Sequence, residues 1–283
     1  MPPRNAIDRK ARRQRRVSDT RAINAFLGGL TAGGGTRADR RGWSLPWPPL
    51  LIAKFLVGVA LMPVTWVTVE TFFVSFNQAA IRADYWKTHE FWAFGFGVVA
   101  WLVLFFGLRN RFTLWLYVAG HELTHALFVL ICRGNVKKVH ISSDGGHILT
   151  NRNNFLISLS PYFFPFYSAV TIGIWWLTEW WFQDFDASHL PWLFGAIGFT
   201  WCFHLTFTIW MALRDDQPDL DQNGRLFSFM TIILVNTLII AGMLIAASPN
   251  LDLRGFGATW WRNFSTFAPR LEESVREIVG IFV

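Results

Sequence analysis

Residues 112 to 132 read Phe112-Thr-Leu-Trp-Leu-Tyr-Val-Ala-Gly-His121-Glu122-Leu-Thr-His125-Ala-Leu-Phe-Val-Leu-Ile-Cys132. A run of this length and apolar character suits one helical crossing of a bilayer, which takes about 20 residues for about 30 Å of hydrocarbon. Within it His121, Glu122 and His125 form an H-E-x-x-H pattern. Positions i and i+4 share a helix face, so both imidazoles can reach one Zn²⁺, while Glu122, one step round, faces a water in the open coordination position. Uncompensated polar groups inside hydrocarbon cost several kcal/mol each, so the pattern calls for a metal or a wet cavity. The spacing therefore predicts a hydrolytic metal site with Glu122 as its catalytic base.

Working outward, composition agrees with a membrane setting. Apolar residues make up 52% of the chain and charged residues only 16%, well below the usual quarter of a soluble protein. The formal charge of +7 is confined to one end, because residues 1–44 hold 11 Arg or Lys against three Asp. A basic tail on a membrane protein sets orientation or touches anionic lipid, and no nucleic-acid partner is expected. Nothing in 1–44 could bury a core, so it is expected as a disordered tail ahead of a membrane domain over 45–248. Cys132 and Cys202 lie in apolar runs and read as packing residues, with no disulfide framework.

Six spans are expected: 50–76, 91–108, 112–132, 155–181, 191–213 and 226–247. Pro63 should kink the first, and Pro161 and Pro165 should break the fourth early. Arg133 and Gly134 supply a stop for the motif helix. Between the third and fourth spans, Val136 to Ser142 and His147 to Asn151 flank a glycine turn and read as a short β-hairpin, whose edge would suit an extended peptide. His140 and His147 within it read as surface residues. The fold class is thus an all-α polytopic membrane bundle with a short hairpin after the motif helix. Residues 249–283 form a C-terminal amphipathic segment, in which Leu271, Val275, Ile278 and Ile281 recur at helical spacing.

A catalytic zinc site usually has three protein ligands. Glu179 lies about 24 residues, or roughly 36 Å of helix, beyond the start of the fourth span and so at the wrong side. Asp219 is better placed. Two further crossings return the chain to the motif's exit side, at Asp215-Asp216-Gln217-Pro218-Asp219-Leu220-Asp221. Pro218 suits the start of a helix, and its first turn would have to dip inward because His125 lies about 10 Å below that surface. His204 matches the depth of His125 and, with Asp221, is the alternative ligand or supporting residue.

Taken together, His121-Glu-Leu-Thr-His125 in a membrane helix, Ser160-Pro161 in the next span and an Asp ahead of Gly224-Arg225 resemble the site-2 proteases and related intramembrane zinc metallopeptidases. The resemblance covers about residues 112–247 and is specific at the first motif. It implies zinc on His121, His125 and Asp219, a Glu122 base, and a transmembrane protein or peptide as substrate. The family's prolines and Leu-Asp-Gly sequence at the third ligand are not reproduced, and Asp221, which follows Leu220, could fill that role instead. Two other classes compete: a non-catalytic membrane scaffold with a structural metal, and an ion or metal transporter with these histidines along its path. Orientation is divided too. The basic tail favours a cytoplasmic N terminus, which would put the hairpin outside, whereas the resemblance puts the site nearer the cytoplasm.

Overall fold

The computed structural model describes residues 48–107, 111–142, 145–182, 187–213 and 217–282. The basic tail expected over 1–44, and Asp215 and Asp216, lie outside the described residues.

The elements run α1 (Pro48–Phe76), a π-helical turn (Asn77–Arg82), α2 (His89–Gly107), α3 (Arg111–Ile131), β1 (Val136–Ser142), β2 (Gly145–Thr150), α4 (Phe155–Phe163) and α5 (Phe166–Trp181). They continue with α6 (Leu190–Ala212), the single turn α7 (Pro218–Asp221), α8 (Arg225–Ala247) and α9 (Leu253–Phe282). Five helices among the described residues are long and apolar enough to cross a membrane, and α4 with α5 makes a sixth candidate bent by 74°. The chain is an all-α membrane bundle with a short hairpin. Its outer surface is apolar: Trp66, Phe96, Phe106, Trp181 and Trp192 are all more than 60% exposed, as side chains facing lipid would be.

The bend in the fourth span falls at Phe164-Pro165, where Pro165 opens α5. Pro161 does not end α4. It lies within that helix, as its seventh residue, and leaves one backbone carbonyl without its usual donor.

Packing follows residue size. Helices α2 and α6 cross with backbones in contact, since a Cβ on Gly97 would lie 2.0 Å from the Gly195 carbonyl and one on Gly198 2.2 Å from that of Phe94. Small residues permit such approach inside a membrane, where van der Waals contact drives association. Beside this crossing Trp101 of α2 meets Phe203 of α6 at 4.7 Å between rings, and its indole donates to Thr206 Oγ1 at 2.9 Å. On the other side α8 packs along α1, and α9 returns over the hydroxyl-bearing face of α1. There Trp260 donates to Thr68, Asn263 donates to Thr71, and Arg270 pairs with Glu70. The C-terminal segment is thus attached to the bundle through residues 260 to 270. Leu271 is exposed, and the side chains of Val275, Ile278 and Ile281 lie outside the described residues.

The motif helix α3 lies at the centre: half of its apolar window is buried, against 6% to 33% for the other long helices. It stops as expected. Arg133 adopts φ +57° and Gly134 donates to the Val129 carbonyl at 2.7 Å, the bond of a Schellman cap. The hairpin then pairs β1 antiparallel to β2, with His140 opposite His147. Its second strand begins two residues earlier than the sequence suggested, at Gly145.

Candidate metal centre

Helix periodicity brings His121 and His125 onto one face of α3, and both are buried, as is Glu122 at 2% exposure. The two Nε2 atoms lie 3.2 Å apart. From the far end of the fold α7 dips inward, so that Asp219 is 2% exposed and its Oδ2 lies 3.7 Å from His121 Nε2 and 3.6 Å from His125 Nε2. Among the described residues His121, His125 and Asp219 are the grouping able to hold a metal ion, with their ligand atoms within 4.8 Å of one another.

Their chemistry fits a cation. His125 Nδ1 donates to the Ile157 carbonyl at 2.8 Å, so the proton of the neutral ring is on Nδ1 and Nε2 presents a lone pair. Tyr117 OH stands 3.3 Å from His121 Nδ1, which engages the back of that ring too. A carboxylate and imidazole nitrogens converging on one buried point repel one another unless a positive charge lies between them. Two nitrogens on a tetrahedral zinc at about 2.0–2.1 Å stand roughly 3.3 Å apart, close to the separation seen.

Asp219 is fixed by its surroundings. Pro218 starts the turn, Gln217 accepts a hydrogen bond from Tyr162 OH at 3.0 Å, and the Asp219 carbonyl accepts from Asn223 Nδ2 at 2.9 Å. Neither alternative ligand joins the grouping. Asp221 is two steps of about 100° round the same turn, so it faces outward and pairs with Arg225 at 2.8 Å. His204 has the right depth but lines a cavity with room for about one water beside Tyr117, His121 and Thr208, and its Nε2 has no hydrogen-bond partner among the described residues. Glu179 is exposed on α5, His140 is exposed on the hairpin, and His147 is half-buried; none of the three belongs to the grouping.

Glu122 is covered by the hairpin. A Cβ on Gly146 would lie 2.5 Å from Glu122 Cγ and 2.8 Å from its Oε1, so only glycine lets β2 pass at this height. Its Oε2 is buried and has no hydrogen-bond partner among the described residues, a position in which a carboxylate can take a proton. Sequence reasoning missed the Ile157 carbonyl and Asn223. Pro161, four residues after Ile157, was the available signal for the first; a lone Asn before Gly224 carried none for the second.

No family model matches the chain, and no curated protein or solved structure matches it.

Proposed function

We propose that this chain is a multi-pass intramembrane zinc metallopeptidase that hydrolyses peptide bonds of membrane-spanning substrates. The observation that carries the reading is the convergence of His121, His125 and Asp219 beside a buried Glu122 on the same helix turn. Zinc held by those three residues would supply Lewis acidity toward a peptide carbonyl and toward water. Glu122 would take the proton of the attacking water and return it to the leaving nitrogen. Ile157 and Asp219 keep the imidazole of His125 aimed while this proton moves. A helical substrate hides its carbonyls in its own hydrogen bonds and has to unwind locally, and the strand β2 beside Glu122 offers replacement backbone partners.

The test is zinc content and cleavage of a transmembrane peptide by the detergent-purified chain. Glu122→Gln is expected to keep its zinc and lose activity by about 10²-fold or more, while His121→Ala loses both. Equal cleavage by Glu122→Gln and parent would sink the mechanism. One observation favours the second reading, a scaffold with a structural metal: the backbone of Gly146 lies directly on Glu122. A chain that binds one zinc and cleaves nothing supports that reading.

A further inference from the structure

A helical carbonyl is normally consumed by the N–H four residues on, so a side chain from another helix finds it already occupied. At Ile157 it is open. The residue four on is Pro161, which has no N–H, and it lies within α4 rather than at its first turn. The vacated position is taken by His125 Nδ1 from α3, at 2.8 Å, across 32 residues of sequence. Ser160 Oγ donates to the same oxygen at 2.9 Å, so both lone pairs are used. Everything at this junction is enclosed: Ile157 and His125 are each 1% exposed and Ser160 is fully buried.

We infer that Pro161 is a positioning residue of the metal centre, which acts by withholding a backbone donor so that the Ile157 carbonyl selects the Nδ1–H tautomer of His125 and turns Nε2 toward His121 and Asp219. An ordinary residue at 161 would bring an N–H to the same oxygen. His125 would then lose the shortest of its hydrogen bonds and with it the reason to hold one tautomer and one ring orientation. Backbone carbonyls that accept from the second nitrogen of a ligating histidine tune affinity in this way, and their loss weakens metal binding by about 10- to 100-fold. The inference rests on the metal-centre reading of the preceding subsection.

The experiment compares the full-length parent, Pro161→Ala and Pro165→Ala in detergent, by zinc affinity in chelator competition, by thermal midpoint of the metal-free protein, and by ¹⁵N resonances of the His125 ring. In metal-free parent, Nδ1 should carry the proton. Pro161→Ala should bind zinc about 10-fold or more weakly while melting no earlier, because removal of a proline from a helix interior does not weaken the helix. Pro165→Ala, at the bend, withholds no donor from the Ile157 carbonyl and should keep the parent's affinity and His125 signal. A proline that served only the shape of α4 would shift the midpoint and leave affinity and tautomer alone. That result overturns the inference, as does a metal-free parent whose His125 is protonated on Nε2, a measurement that stands even if Pro161→Ala fails to fold. A parent that takes up no zinc, with His125 still protonated on Nδ1, defeats the metal-centre reading instead.

Discussion

Asn223 ties Asp219 to Ser158: its Nδ2 donates to the Asp219 carbonyl at 2.9 Å and to Ser158 Oγ at 2.6 Å, while its Oδ1 accepts from Lys54 at 2.8 Å. One buried amide, with every donor and acceptor engaged, thus joins α7 to α4 and α1. Asn223→Leu would leave the Ser158 hydroxyl and the Lys54 ammonium without this partner, at a cost of about 2–3 kcal/mol. The loosened turn should also bind zinc about 10-fold less tightly. Unfolding in detergent and chelator competition measure the two effects, and unchanged zinc affinity would mean that Gln217 and Pro218 hold Asp219 unaided.

Asp219 and Asp221 lie on opposite faces of one turn, and their substitution should separate cleanly. Asp219→Ala removes one of three ligands and should reduce bound zinc from about one per chain to well below half. Asp221→Ala removes a surface pair with Arg225, with both side chains about half exposed, and should cost no more than about 1 kcal/mol with zinc intact. Metal analysis of the two purified variants decides; zinc loss in Asp221→Ala would overturn the ligand assignment.

Gly146 permits the close passage of β2 over Glu122. In Gly146→Ala the added methyl meets Cγ and Oε1 of Glu122, so the hairpin or the carboxylate has to shift. Overpacking of this kind costs about 1–3 kcal/mol. Zinc should be retained, because no ligand is touched, whereas peptide cleavage should fall with the displaced base. Parallel measurement of thermal midpoint, zinc and cleavage would show the pattern, and a variant as stable as the parent would contradict the contact.

Gly198 faces the Phe94 backbone across the α2–α6 crossing, where a Cβ would come within 2.2 Å of a carbonyl oxygen. A flexible side chain could yield, but a backbone carbonyl cannot. Gly198→Val is therefore expected to push the helices apart and cost about 3 kcal/mol or more, whereas Gly173→Val, with open space around its Cβ position, should cost less than about 1 kcal/mol. Denaturation midpoints of the two variants test this, and similar values would argue against a tight crossing.

How much could be read in advance differs between elements for physical reasons. The long spans were legible because apolar length is a local property, set by residues next to one another in the chain. So was the pair His121 and His125, whose common face follows from helix periodicity alone. The hairpin was legible from its glycine turn, although its second strand starts at Gly145 rather than His147. For the fourth span the prolines gave warning of a break, yet Pro161 was absorbed by α4 and Pro165 made the bend. A proline states that one N–H is missing; where the chain turns depends on what else can satisfy the carbonyls.

Sequence by itself determined that this chain is a membrane helix bundle with two imidazoles and a carboxylate on one buried turn, because hydrophobic run length and the 3.6-residue period need no knowledge of neighbours. Tertiary structure alone decided that Asp219 rather than Asp221 or His204 faces those imidazoles, that Ile157 orients His125, and that Gly146 covers Glu122. Each of these depends on the angle at which distant segments meet. Two acidic residues in one loop, or a free carbonyl in one helix, look alike in a linear chain until packing chooses which of them points inward.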